Sequence, residues 1–459
     1  MDTGAKKVIV IGAGLSGLTC AYRLTQAGCL VTVVESTDAV GGVVQTRIVE
    51  DFLCERGPNS FQNTPEILDL VHQLDLDHEL VTAEPRLPRY IFYRGRLHPA
   101  PMNPAALLST SLLTTGGKLK LVRELWTKPA SDSREESLSD LVIRHFGTEV
   151  LRNLVGPFIS GVYAGDPARL SGRSAFPLLI DLERKYGSLI KGLILSAWRS
   201  AGPRIPRRLC SFQQGLQRLP LRLAERIGAD KIILRGQVQN LRAMPGDGSK
   251  TFSLSVSTPQ GTRELPGDAV VIATPAYEAA GLLRPFSIRC ANDLAAVEYP
   301  PLAGVCLAYR KTDVPHSLDG FGFLVPRGEG VRLLGCIWSS TLFRGRAPHD
   351  AALLTIFVGG ATDSAVSSLS DGQVVDAVRD DLRTTLNITA APRIMAVHRH
   401  RHAIPQPNLG HENRLQRIEE ELKKLPGIYL AGNYLRGVSI PDSVKQAGEL
   451  AQRISATGR

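Results

Sequence analysis

The spacing of apolar positions changes along the chain, and the changes divide it into regions. Residues 8–11 form a β-branched run, Leu15, Leu18 and Tyr22 recur at helical spacing, and residues 31–34 are apolar again. That order predicts a strand, a helix and a strand in one βαβ unit. From Met102 to about Pro206 helical periods are broken by Pro and Gly, with apolar clusters at Leu107-Leu108, Leu112-Leu113, Leu189-Ile190 and Leu193-Ile194-Leu195. A helical insertion is expected there. Strands return at 232–235, 238–241 and 252–256, with a turn over Pro245-Gly246-Asp247-Gly248, and end in the wholly apolar run 269–273. Such a run suits a strand buried on both faces of a parallel sheet. A mixed region with several strand patterns continues to about Arg401, and Tyr429-Leu430 then leads through Gly432-Asn433 into a last helix. The chain is therefore expected to return to its first domain.

Length and composition set the scale. At 459 residues the chain exceeds the roughly 250–300 residues at which one core stops growing, so two or three domains are expected. Apolar residues at 43% and charged residues at 21% are ordinary for a globular protein. The net charge of +10 suits an anionic partner, but there is no lysine-rich block or basic helix with interleaved aromatics, so nucleic acid is not expected. Cys20, Cys29, Cys54, Cys210, Cys290, Cys306 and Cys336 are scattered and never form a C-x-x-C pair; they read as reduced, mostly buried thiols of a reducing compartment such as the cytosol. Only MDTGAKK precedes the first apolar run, so no signal or transit segment is expected. Residues 97–117 lack charge but contain Pro99, Pro101 and Pro104, so no transmembrane helix is expected.

The candidate chemistry begins at Gly12-Ala13-Gly14-Leu15-Ser16-Gly17, a G-x-G-x-x-G turn between strand and helix that presents bare backbone to a pyrophosphate. Glu35, with Ser36 after it, falls at the end of the second strand, where a carboxylate accepts hydrogen bonds from an unphosphorylated ribose and repels a 2′-phosphate. NADP is thereby disfavoured. Gly41-Gly42 followed by Gln45-Thr46 adds a second glycine stretch beside the same phosphates, which favours FAD over NAD. Far downstream, Gly432-Asn433 precedes Gly437-Val438-Ser439-Ile440-Pro441-Asp442, where Ser439 and Asp442 have the spacing of a helix start. The partial positive charge of a helix N-terminus there would suit the flavin end of the cofactor.

Glu55-Arg56-Gly57-Pro58-Asn59-Ser60-Phe61, Pro88-Arg89-Tyr90 before Gly95-Arg96-Leu97, and Ser160-Gly161-Val162-Tyr163-Ala164-Gly165-Asp166-Pro167 carry a more specific likeness. Gly320-Phe321-Gly322, Ser339-Ser340 with Arg346-Ala347-Pro348, and Ala403-Ile404-Pro405-Gln406 extend it over nearly the whole chain. The sequence resembles the protoporphyrinogen oxidase family, in its oxygen-dependent plant-plastid and bacterial form. One departure is Val43, where the GG motif ordinarily carries Arg or Lys; Arg47 is the next basic residue. The resemblance implies an α/β plus α fold: a Rossmann-like FAD-binding domain from 1–88, 207–276 and 424–459, a mixed-sheet substrate domain from 89–101 and 277–423, and a helical, membrane-associating domain from 102–206. It implies six-electron oxidation of protoporphyrinogen IX to protoporphyrin IX with O2 reoxidising FAD to give H2O2. It also brings a membrane surface, a homodimer and hand-off to a chelatase into consideration as partners.

The resemblance further assigns residues. Gly57, Pro58, Asn59 and Ser60 match the loop against the isoalloxazine, Val238 a backbone contact to adenine, and Gly161, Val162 and Ala164 a segment at the substrate edge. Arg89 matches a substrate-anchoring arginine; independently, the pattern Arg89-Tyr90-Ile91-Phe92-Tyr93 with a turn at Gly95 predicts a hairpin able to project a guanidinium to a propionate. Leu324, Ile337 and Phe357 match positions that grip the macrocycle, although their strand-like runs read equally as core. No acid–base residue is identifiable. His398, His400 and His402 are expected to share a strand face, but Arg399 and Arg401 oppose a cation between them and no metal is expected. Coproporphyrinogen III oxidation, an amine oxidase or carotenoid desaturase activity, and a catalytically idle flavin- or porphyrin-binding protein are the alternative readings.

Overall fold

The computed structural model describes residues 5–128, 135–199, 206–244 and 251–456; the expected turn at 245–248 lies outside them. Its nucleotide-binding half is a parallel five-stranded sheet in the order Ile232–Ile233, Leu30–Val34, Lys7–Ile11, Ala269–Ile272, Ile428–Leu430. Strands from three distant parts of the chain thus meet, as the expected return to the first domain requires. Ala269–Ile272 is wholly buried because both faces of the sheet are covered. Helices Leu15–Gln26 and Ile440–Ala456 pack on one face. The antiparallel sheet Gln237–Met244, Thr251–Thr258, Gly261–Gly267 covers the other. Each fully buried Val or Ile of this sheet contributes about 1.5–3 kcal/mol.

The structure departs from expectation in two places here. The strand expected over 232–235 ends at Ile233, because Arg235 takes φ +53° and its N–H turns to the Thr37 carbonyl. Helices Ala276–Leu283, Ile288–Ala295 and His411–Lys423, which the expected division assigns to the substrate region, bury Ala280, Leu283, Leu294 and Ile418 against the nucleotide-binding sheet.

The second layer is a seven-stranded sheet in the order Arg393–His400, Leu302–Arg310, Ala351–Gly359, Leu333–Trp338, Gly322–Leu324, Arg89–Tyr93, Arg96–Pro99. Its pairings are antiparallel except for Gly322–Leu324 on Arg89–Tyr93. Arg94 and Gly95 both take positive φ at the tip of the Arg89–Pro99 hairpin, the backbone that a two-residue hairpin turn demands. Alternate residues point to opposite faces of such a sheet. One face, with Phe92, Val305, Phe323, Trp338 and Ile356, closes a core against helix Asp371–Leu386. The other face carries the candidate site.

Residues 102–199 are helical: Pro104–Ser109, Thr115–Glu124, Leu138–Phe146, Gly156–Tyr163, Pro177–Tyr186 and Leu189–Arg199 are its main helices. They share a small core around Leu121, Leu141 and Ile159. Glu124, wholly buried, accepts from Ser188 Oγ at 2.6 Å and from the backbone N–H of Leu189 at 2.6 Å, capping the last of these helices. Its carboxylate also lies 2.8 Å from His145 Nδ1. Among the described residues no helix is long and apolar enough to cross a membrane.

Candidate functional site

The first glycine turn has the shape its sequence calls for. Gly12 takes φ +102° and donates its N–H to the Val34 carbonyl at 2.7 Å, and a Cβ there would lie 2.9 Å from the Ala273 carbonyl oxygen. A Cβ on Gly17 would collide with the Gly12 carbonyl, so helix and strand meet only because Gly17 has none. At Gly14 a Cβ would meet nothing within 4 Å. Gly14 is also the N-cap of helix Leu15–Gln26 and supplies no side-chain cap, so first-turn N–H groups, Ser16 among them, face that open space.

A second bare stretch is laid over the first. Gly41 bridges to Gly14 and donates its N–H to the Ala13 carbonyl at 2.8 Å, and a Cβ on Gly42 would stand 3.3 Å from the Gly14 Cα. Glu35 is buried beneath them, accepting from the Ala13 N–H at 2.8 Å and from the Thr37 N–H at 2.9 Å. Part of its capacity thus holds the turn itself, a use the sequence did not reveal; Ser36 is exposed beside it. From Gly42 the chain enters the hairpin Thr46–Val49 and Phe52–Glu55. Gln45 Oε1 accepts from Arg56 at 2.7 Å and Thr46 Oγ1 donates to Glu55 at 2.7 Å. Gly57–Ser60 is half-buried, with Gly57 pressed on the Val43 carbonyl and Asn59 donating to the Gly57 carbonyl at 3.4 Å. Arg47 is exposed opposite Cys54.

At the far end, Gly432 and Asn433 follow strand Ile428–Leu430, and Val438 leads into helix Ile440–Ala456. Ser439 Oγ donates to Asp442 Oδ2 at 2.5 Å while the Asp442 N–H donates back to Ser439 Oγ at 3.2 Å, a reciprocal cap. Val238 sits at a bulge of Gln237–Met244.

The substrate-assigned residues fall on the free face of the seven-stranded sheet. Arg89 is in register with Gly322, Gly322 with Ile337, Leu324 with Gly335, and Gly335 with Phe357, which is itself in register with Gly304. Leu324, Ile337 and Phe357 are half-buried, whereas most of their neighbours along the strands are fully buried. Glycine flanks them: a Cβ on Gly335 would lie 2.8 Å from Leu324 Cδ2, and one on Gly304 would lie 3.5 Å from the Phe357 ring. The helical region covers one end of the face through Leu112 and Leu154 on Ile91 and Tyr93. The Phe52–Glu55 strand covers the other end through Phe52 and Cys54 on Cys306 and Leu353. Arg89 stands exposed at the start of the strand that carries Ile91 and Tyr93, with its Cζ 5.1 Å from the centre of the Phe321 ring. It pairs with no carboxylate among the described residues, and partial desolvation lowers its pKa.

The segment assigned to the substrate edge is a helix end. Gly161 and Val162 belong to helix Gly156–Tyr163, and Ala164 ends it at φ +49°. The space a side chain on Gly161 would need is filled by Leu324 Cδ2, so this glycine joins helix to sheet; Val162 is 43% exposed. Gln406, buried, donates to the Tyr163 carbonyl at 2.8 Å and fixes that helix end.

A model of the flavin containing amine oxidoreductases matches residues 15–455 of this chain. The chain belongs to that family. The chloroplastic protoporphyrinogen oxidase 1 of Arabidopsis thaliana is 36% identical over 97% of this chain and 87% of its own length. Coproporphyrinogen III oxidase of Bacillus subtilis strain 168 is 29% identical over 97% of each. A solved structure from Exiguobacterium sp. 255-15, named after protoporphyrinogen oxidase, superposes with a TM-score of 0.83 at 27% identity and covers 99% of both chains.

The cofactor of this flavin oxidoreductase is FAD, and the cradle fits it. Gly14 leaves bare backbone beside open space, Gly42 lies close over it, the Leu15–Gln26 helix directs uncapped N–H groups there, and a capped helix start stands at Ile440. Some features of the site were not visible in the spacing of residues. Gly304 and Gly335 act only through cross-strand register, and Phe321 only through its contact with Arg89. Arg346, of the segment Arg346-Ala347-Pro348, is buried, donates to Ser211 Oγ at 2.5 Å, and lies 3.7 Å from Glu55, tying the substrate sheet to the strand before the Gly57 loop. His398 and His400 share a strand face as expected, but His402 lies beyond the strand and stacks on Tyr277 at 4.5 Å. His400 Nε2 lies 2.9 Å from the Arg56 carbonyl.

Proposed function

We propose that this protein oxidises protoporphyrinogen IX to protoporphyrin IX, removing six electrons in three steps with O2 as final acceptor and H2O2 as product. The observation that carries the reading is the glycine-flanked apolar face of Leu324, Ile337 and Phe357 with the uncompensated Arg89 at its side. A flat macrocycle suits that face, and a propionate suits the guanidinium fork. FAD, when bound, supplies the two-electron acceptor for each step.

The chain's own residues position the reaction. Gly12, Gly14, Gly17, Gly41 and Gly42 hold the pyrophosphate, and Glu35 completes the ribose end. Gly57–Ser60 and the helix start at Ser439 and Ile440 frame the flavin end. Gly161, Val162 and Ala164 bound the substrate edge. Holding the macrocycle in one orientation is most of what the protein contributes. We name no acid or base; the pyrrole nitrogens and solvent carry the protons. The helical region adds a second element, since Leu119 and Trp126 are 60% and 74% exposed close to Lys118, Lys120 and Arg123. That arrangement suits peripheral attachment to an anionic leaflet, from which a hydrophobic porphyrinogen could enter.

Coproporphyrinogen III is the second reading, favoured by the full-length likeness to the Bacillus enzyme. Four carboxylates need more positive charge than Arg89 alone brings to the open part of the face. Comparing kcat/KM for the two porphyrinogens tests this: we expect the dicarboxylate to be preferred, and a preference for coproporphyrinogen would overturn the assignment.

A further inference from the structure

Two thiols meet at the seam between the layers that build the site. Strand Phe52–Glu55 turns Cys54 toward the seven-stranded sheet, while Glu55 turns back to Thr46 and to the Leu216 N–H. Cys306 stands on the sheet, in register with Thr355 on one side and Ala396 on the other. Both cysteines are wholly buried and reduced, and they belong to one apolar cluster with Phe52, Leu353 and Met395. The Cys306 Sγ also lies 3.8 Å from Thr355 Oγ1. The His398 side chain reaches Cys306, and its Nε2 is buried without a hydrogen-bond partner.

This pair differs from the remaining cysteines. Burial raises the thiol pKa of Cys20, Cys29, Cys210, Cys290 and Cys336. Cys54 is lowered by the neighbouring Cys306 thiol, and Cys306 is raised in turn. Such an asymmetry separates an attacking sulfur from a resolving one. Location matters as much: Cys54 lies just before Gly57–Ser60, the loop assigned to the flavin, so peroxide formed at the flavin arises nearby. Neither thiol is exposed to solvent, so peroxide reaches the pair only through local opening of the seam.

We propose that Cys54 and Cys306 are a peroxide-driven redox switch, a dithiol that closes to a disulfide and staples the flavin-side hairpin to the substrate sheet. The proposal takes its peroxide from the oxidase reading above. Cys54 thiolate attacks one oxygen of H2O2; the O–O bond breaks, Cys54 becomes a sulfenic acid, and the departing hydroxide takes up the proton released by Cys54 to form water. Cys306 sulfur then attacks Cys54 sulfur; the S–O bond breaks and the S–S bond forms. The Cys306 proton passes by way of His398 to the departing hydroxide, forming the second water. Two thiols and one peroxide give one disulfide and two waters, the thiols losing two electrons and the peroxide oxygens gaining them.

The test treats FAD-loaded, full-length protein with H2O2 in the absence of porphyrinogen, so its thiol readouts do not depend on the oxidase reading. We expect the seven cysteines to lose two titratable thiols, the intact mass to fall by two hydrogens, and a non-reducing digest to contain a Cys54–Cys306 cross-link. Turnover with the preferred porphyrinogen should fall in step and return with dithiothreitol, and Cys54→Ser and Cys306→Ser should each keep turnover after peroxide. His398→Gln should slow cross-linking. Retention of all thiols, oxidation confined to Cys29 or Met395, or a cross-link that leaves turnover unchanged would each overturn the switch. If the serine variants fail to fold, the wild-type mass and digest still decide. A protein that cross-links under added H2O2 but makes no peroxide from porphyrinogen would remove the oxidase reading and the switch's proposed source of oxidant, leaving only the thiol chemistry.

Discussion

Glycines with opposite surroundings give the sharpest residue-scale contrast. At Gly17 a Cβ meets backbone, whereas at Gly14 it enters open space at an ordinary φ of −69°. Gly17→Ala should therefore strain the fold, lowering Tm and yield. Gly14→Ala should leave apoprotein Tm nearly unchanged but intrude where the phosphates lie and strip bound FAD. Flavin absorbance per chain, read beside a melting curve, separates the two; equal effects of both substitutions would contradict the assignment. Arg89 acts on the other ligand. Losing a charge-assisted hydrogen bond costs about 1.5–3 kcal/mol, so Arg89→Ala should raise KM for the porphyrinogen roughly 10- to 100-fold with FAD content unchanged. Unaltered steady-state kinetics would remove Arg89 from the site. The glycine turns were legible because so few residue types satisfy their backbone. Leu324, Ile337 and Phe357 were not distinguishable from core in the sequence, since a pocket wall and a core strand share the same apolar run; their half-burial goes with glycines on adjacent strands, Gly335 beside Leu324 and Gly304 beside Phe357, that only the sheet register brings together.

At the scale of elements, the two ends of the flavin-side loop can be probed separately. The Ser439–Asp442 cap was legible from spacing and is present. Removing it with Ser439→Ala should cost about 0.5–2 kcal/mol of stability, measured by denaturant unfolding, and should weaken FAD retention if this helix start frames the flavin. The opposite anchor was not legible. His411 opens helix His411–Lys423, and its buried ring reaches the carbonyls of Tyr434 and Leu435. Burial, with Arg414 nearby, lowers its pKa from 6.5 to about 4. The unfolded chain then binds more protons than the native one between those values, so stability contributed by neutral His411 is complete above pH 6.5 and declines as pH falls toward 4. Thermal melts of wild type and His411→Gln should converge as pH is lowered across that window. Parallel melting curves would show that another group governs the acid limb. A lone histidine after Gly410 offered no clue to this, because its partners lie over twenty residues away in sequence.

For the whole molecule, the sequence revealed the order of regions better than their seams. Periodicity located the parallel sheet, the helical insertion and the return of the chain, but boundaries shifted wherever packing, not periodicity, decides them. Helices Ala276–Leu283 and Ile288–Ala295 follow a strand of the nucleotide-binding sheet and bury their apolar faces against it, although the chain around them reads as mixed. The seams concentrate the chemistry: the Glu55–Arg346 contact, the Cys54–Cys306 pair and the open face between two covers all join residues distant in the chain. The exposed apolar residues beside basic ones in the helical region belong to the same scale. Co-sedimentation with vesicles containing anionic lipid should fall when Leu119 and Trp126 are both replaced by Ser, and binding that ignores the substitution would place attachment elsewhere. The central claim, that a flavin in this cradle takes electrons from a porphyrinogen on this face, is tested most directly by anaerobic mixing. FAD-loaded protein combined with protoporphyrinogen IX without O2 should bleach the flavin absorbance as porphyrin fluorescence appears, and admitting air should restore the yellow colour with release of H2O2. A flavin that stays oxidised with both protoporphyrinogen and coproporphyrinogen would contradict it.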